Sequence, residues 1–140
     1  MVKGKGLYSS IFVLSLLLTS CFESNEIYFE LTKNSVMSCN RKGIRQLYIT
    51  NDSTIETFSF FYSDSASEDA PKIIKIDSIS EGYCISKGWK KLNINRSKFK
   101  LNALSQYTIE RVQGDASAYK IKVWTDEYGK ITKTSKGSCN

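Results

Sequence analysis

Thr54-Ile-Glu-Thr-Phe-Ser-Phe-Phe-Tyr62 is the stretch that decides the fold. Alternate positions put Glu56, Phe58, Phe60 and Tyr62 on one side and Ile55, Thr57, Ser59 and Phe61 on the other. A repeat of two belongs to a β-strand, whose successive side chains point to opposite faces. The side with three aromatic rings has the most area to remove from water, so it faces the core. Turn chemistry brackets the stretch: Asn51-Asp52-Ser53 comes before it, and a polar segment, 63–70, runs to the single proline, Pro71.

The same repeat continues in both directions. Residues 46–50 put Leu47 and Ile49 on one face. Residues 26–31 and 35–39 read as one first strand, broken at Lys33-Asn34. Downstream, 72–79 sends Ile74 and Ile76 inward and Lys75 and Asp77 outward. Cys84-Ile85 follows a turn at Glu81-Gly82-Tyr83, and 92–95 alternates again after Gly88. Three final strands are predicted at 106–112, 119–125 and 130–134, separated by Gly114-Asp115 and Tyr128-Gly129. No window carries a helical repeat. About seven to nine short antiparallel strands spaced by polar turns predict an all-β, immunoglobulin-like sandwich rather than a closed barrel.

Ahead of this domain lies a segment of a different kind. Lys3 and Lys5 precede an apolar run from Ile11 to Leu18, and Leu18-Thr19-Ser20 leads into Cys21. A short cationic start, an apolar run and small residues before the cut form a secretory signal, too short for the roughly 20 residues that a spanning helix needs. A cysteine placed to become the new first residue makes it a bacterial lipoprotein signal with a lipobox. Cys21 is therefore the expected site of diacylation, palmitate included, two chains being needed because one anchors only marginally. The expected organisation is a signal peptide at 1–20, a lipidated tether at 21–25 and the sandwich at 26–140. Phe22, where an aspartate favours retention at the inner membrane, points to the periplasmic leaflet of the outer membrane.

Histidine is absent from all 140 residues. That removes Ser-His-Asp and Cys-His nucleophile activation, HExxH zinc sites and imidazole acid-base work near neutral pH. Only carboxylate-, lysine- or tyrosine-based catalysis survives; a carboxylate-pair hydrolase of a wall glycan would need Glu56, Asp77 or Glu110, on different strands, to converge at about 5 to 9.5 Å. The expectation is no enzyme, cofactor, metal or small-molecule substrate. With 20 basic and 14 acidic residues the formal charge is +6, spread along the chain rather than gathered on one motif, so no nucleic-acid partner is expected.

Export also frames the cysteines. With Cys21 acylated, Cys39, Cys84 and Cys139 remain, enough for one disulfide and one free thiol. Cys39–Cys84 is the expected pair, because both flank strands inside the domain whereas Cys139 is one residue from the C-terminus. Cys39–Cys139 is the alternative, since in such a sandwich the second half of the first strand can run beside the last strand.

Weaker signals have plainer readings. Ser97-x-x-Lys100 fits a lysine-activated serine in form only, without companion motifs. Asp64, Glu68 and Asp69 lack the glycine and ligand spacing of a calcium loop. Asn51-x-Ser53 and Asn95-x-Ser97 fit a glycosylation acceptor that a lipobox makes irrelevant. Trp124, outward between Lys122 and Asp126, and Trp89, in a turn between Gly88 and Lys90-Lys91, are the candidate partner contacts, because exposed tryptophans are enriched at binding hot spots.

Taken together, Leu18-Thr19-Ser20-Cys21, Cys39 closing the first strand, Cys84-Ile85 followed by Gly88-Trp89, Tyr107-Thr-Ile109 and the last hairpin at 119–131 resemble one family. It is that of small periplasmic lipoproteins assigned to type VI secretion immunity, with an immunoglobulin-like domain behind the lipid anchor. The resemblance implies a membrane-tethered protein that binds and neutralises a secreted toxin. A non-enzymatic structural or adaptor lipoprotein of the envelope is the alternative.

Overall fold

The computed structural model describes residues 24–63, 69–93 and 99–140. All regular structure among them is β: β1 Ile27–Glu30, β2 Ser35–Ser38, β3 Gln46–Asn51, β4 Thr57–Tyr62, β5 Ile73–Lys75, β6 Tyr83–Lys87, β7 Lys90–Lys91, β8 Gln106–Arg111, β9 Tyr119–Thr125 and β10 Ile131–Thr134. They form two antiparallel sheets packed as a sandwich, one in the order β1-β2-β5 and one in the order β10-β9-β8-β3-β4-β6-β7. The all-β sandwich is thus as expected, with its strands divided three and seven.

The alternation at 54–62 positions β4 as expected. Phe60 is fully buried, Phe58 and Tyr62 pack partly buried against the core, and Phe61 faces out. Leu47, Ile49, Ile109, Ile121 and Val123 bring the same face of the large sheet onto Ile27, Phe29, Val36 and Ile74 of the small one. Burying a side chain of this size contributes roughly 1.5–3 kcal/mol, so this shared layer is the main source of stability.

Two expectations about strands, one in each sheet, and one about the disulfide need correction. Segments 26–31 and 35–39 are not one broken strand. Leu31 to Asn34 is a turn, with Asn34 at φ 49°, and β1 folds back on β2 with Ile27 opposite Ser38 and Glu30 opposite Ser35. Segment 92–95 contributes no strand among its described residues, Leu92 and Asn93, and Lys90–Lys91 pairs with β6 instead.

The disulfide joins Cys39 to Cys139, with Cα atoms 5.6 Å apart, and Cys84 is a free, exposed cysteine. Cys84 lies opposite Phe61 on the large sheet, whereas Cys39 directly follows β2 in the small one. The C-terminal tail crosses between the sheets: Ser135 N–H donates to the Lys122 carbonyl in one, and in the other the Phe29 N–H donates to the Lys136 carbonyl at 3.0 Å. That crossing delivers Cys139 to Cys39.

The strands give the molecule two poles. At the base, Asn25 donates to the carbonyls of Gln113, Ala116 and Ser117, and Lys136 pairs with Glu26 at 2.7 Å. Arg111, wholly buried, reaches from β8 to the Ser38 hydroxyl (2.8 Å) and the Gly43 carbonyl (3.2 Å). Tyr83 donates from its hydroxyl to the Ile44 carbonyl, and burial pushes its pKa well up. At the opposite pole, the crown, lie the turns β1–β2, β3–β4, β6–β7 and β9–β10 and the approach to β8.

Candidate interaction surface

The crown carries the most exposed large apolar side chains of the described residues. Ile55 in the β3–β4 turn is 71% exposed, Leu104 ahead of β8 and Tyr128 in the β9–β10 turn are each 79% exposed, and Trp89 in the β6–β7 turn is fully exposed. The strand order sets them in a row: Tyr128, Leu104, Ile55, Trp89. At about 4.8 Å per strand the row is roughly 24 Å long, close to the width of a standard interface of about 800 Å² per partner.

Backbone hydrogen bonds fix each tip. Leu104 N–H donates to the Asp126 carbonyl, Ile55 N–H to the Asn51 carbonyl and Gly88 N–H to the Thr57 carbonyl. The Asn51 side chain accepts from the N–H groups of Ser53 and Thr54. Gly129, at φ 77°, lies so close to the segment before β8 that an added Cβ would stand 2.2 Å from the Leu101 carbonyl oxygen. Ile55 and Leu104 hold positive φ values, 59° and 49°. A β-branched residue in the left-handed region is an outlier, and such strain gathers at functional sites.

The two tryptophans differ. Trp89 projects beside Lys90 and Lys91 with its ring free of packing. Trp124 is half-buried on the outer face of the large sheet, where its Nε1–H donates to Gln106 Oε1 at 2.9 Å and Lys133 Nζ stands 4.6 Å from the ring centroid. Gln106 and Lys122 donate to Asp52 Oδ2, and Thr108 to Oδ1. Burial raises the Asp52 pKa, but these hydrogen bonds and the Lys122 charge outweigh it and hold the carboxyl below its ordinary value. Trp124 is therefore committed to its own sheet, and Trp89 is the tryptophan available to a partner.

A cleft of about 770 Å³ opens on the crown beside Tyr128, between the small sheet and the segment 99–101. Phe99, Leu101 and Ile131 are buried at its floor, and Phe99 stacks edge-on against Phe58 and Phe60. Lys33, Lys75, Lys100 and Lys130 line it with a single carboxylate, Asp77.

Other sequence candidates are dispersed. Glu56 is paired with Lys87 at 2.6 Å, Glu110 approaches Lys120 at 3.8 Å, and Asp77 lies in the cleft, three separate neighbourhoods. Asp69 lines a second hollow, at the base, with Arg41, Lys42 and Arg45. Among the described residues no group of three or more cysteines and carboxylates could hold a metal ion. Cys21, Asp64, Glu68, Asn95 and Ser97 lie outside the described residues. Ile55 and Leu104 escaped sequence reasoning, because an apolar residue in a turn looks no different whether its backbone is strained or relaxed. No family model, curated protein or solved structure matches the chain.

Proposed function

We propose that this chain is a lipid-anchored periplasmic protein that binds and neutralises a secreted toxin, with the crown as its binding surface. The observation that carries the reading is the row of four exposed apolar tips at the pole opposite residue 24. Monomeric surfaces scatter single apolar residues, whereas an aligned set on rigid turns marks an interaction site. The leader ending at Cys21 supports export and tethering, and the lack of histidine supports occlusion over chemistry. Tethering at Cys21 leaves the crown pointing away from the bilayer, toward an arriving protein. Blocking a toxin asks only for a stiff framework and a complementary patch. The positive charge of the chain steers acidic partners toward it.

The experiment is a protection assay. The full chain is co-expressed with periplasm-directed toxins encoded beside its gene, next to Trp89→Ala/Leu104→Ala and Tyr128→Ala variants. The expected result is survival and a stable complex with the parent chain, and loss of both with the crown variants while the circular dichroism spectrum is unchanged. No protection by the parent chain removes the reading. A permanent membrane complex formed without any toxin would instead assign an adaptor role. Cys21→Ala should release the protein from the membrane fraction.

A further inference from the structure

We infer that the crown cleft accepts an acidic, extended peptide segment of the partner, laid along the open edge of β5. This deepens the binding-protein reading and rests on it for the partner, and three observations carry it. The first is charge. Lys33, Lys75, Lys100 and Lys130 surround one carboxylate, Asp77, and none of the four forms an ion pair among the described residues.

The second observation is an unfilled edge. β5 stands at the margin of its sheet. Its ladder to β2 closes through Ile76 N–H to the Asn34 carbonyl at one end and Ser38 N–H to the Lys72 carbonyl at the other. In an antiparallel ladder bonded and non-bonded pairs alternate, so with Ile73 opposite Met37 and Lys75 opposite Ser35, the main-chain groups of Ile73 and Lys75 face away from β2. Both residues line the cleft. The Lys75 carbonyl accepts from the Ser78 N–H within its own turn, so the Ile73 N–H and carbonyl and the Lys75 N–H are the groups that a peptide strand would pair, as in β-augmentation.

The third observation is an orphan acceptor. Asn34 Oδ1 is buried at the cleft wall and has no hydrogen-bond partner among the described residues, although buried polar atoms almost always have one. With the Asn34 amide turned toward the cleft, a peptide N–H supplies the missing donor. Phe99 and Leu101 give the floor for an apolar side chain, and Tyr128 belongs to both cleft and tip row, so one partner can occupy both. An acidic peptide combines carboxylates, N–H donors and apolar side chains, whereas a small anion meets only the first need.

The test uses the purified full chain and fluorescein-labelled, capped peptides of alternating Glu and Val, Glu and Pro, or Lys and Val, followed by anisotropy. The Glu/Val peptide should saturate and weaken as salt rises. Glu/Pro, equal in charge but unable to donate from proline, should bind at least about tenfold more weakly. Each single Lys→Gln substitution at 33, 75, 100 or 130 should weaken Glu/Val by about two- to fivefold. Lys75→Glu/Lys100→Glu, both at exposed positions, should move the preference to Lys/Val. Equal binding of Glu/Val and Glu/Pro would reassign the cleft to small anions and overturn the proposal. So would the absence of saturation, or a preference that survives the charge reversal. No toxin enters this titration, so its failure and a failed protection assay are separate results.

Discussion

Cys39 and Cys139 are joined across a sequence separation of 100, and the bond closes the base of the sandwich where Glu26 and Lys136 also meet. Closing a loop of that length restricts the unfolded chain strongly, by about 4.7 kcal/mol on the chain-entropy estimate, although measured effects are more often 2–4 kcal/mol. Cys39→Ser/Cys139→Ser should lose about that much stability in urea unfolding. Thiol labelling of the folded oxidised protein should modify Cys84, with Cys39 and Cys139 becoming reactive only after reduction.

Arg111 stitches β8 to the end of β2 and to the loop carrying Gly43, from a fully buried position. Arg111→Met should cost about 3 kcal/mol, since truncation strands the Ser38 hydroxyl and the Gly43 carbonyl without their donor. Arg111→Lys should recover only part of this, because a single ammonium cannot reproduce the fork. Urea midpoints of the three proteins check the order.

Ile55 and Leu104 should behave opposite to core residues. Asn tolerates the left-handed region that Ile disfavours. Ile55→Asn and Leu104→Asn should therefore raise stability by up to about 1 kcal/mol each while weakening the complex of the protection assay. Thermal unfolding and complex formation measured on the same samples check both directions. Losing stability at both sites would count against strain.

The pH dependence follows from the base and the outer face. The hydrogen bond from Lys136 and then the Asn140 N–H hold Glu26 below its ordinary 4.5, and Asp52 is held below 3.8. Their contribution is complete above those values and is lost as pH falls through the folded values. Lys136, raised above 10.5 by Glu26 and Tyr119, contributes fully below that value and loses its share as pH rises through the folded one. The thermal midpoint should therefore be flat around neutrality and fall at both extremes. Glu26→Gln should lower the plateau around neutrality and make both limbs shallower, because Lys136 loses its main partner along with the carboxylate.

How much of this was legible in the sequence depends on whether the local repeat or a distant contact decides the matter. β3, β4, β8, β9 and β10 follow from alternation, because one buried face fixes which residues point inward. The β1–β2 hairpin does not, since its turn is a run of ordinary residues whose reversal depends on Asn34 adopting a positive φ. Cys139 looked peripheral by position, but the tail crossing through Phe29 and Lys136 carries it to the base, a long-range pairing that no local pattern announces. At the crown, Trp89 was visible as an exposed aromatic in a turn. Trp124 was visible too, but its commitment to Gln106 and Lys133 emerges only once β8, β9 and β10 are side by side.

Because each tip rides on a turn whose shape is set by main-chain bonds, its side chain is exchangeable without disturbing the interior. Recognition and foldability are in that sense inherited separately. Under the proposed binding role, a lineage whose partner changes can swap Trp89 or Tyr128 one at a time, and sister copies should diverge first at these summits while Leu47, Phe60 and Ile109 stay fixed.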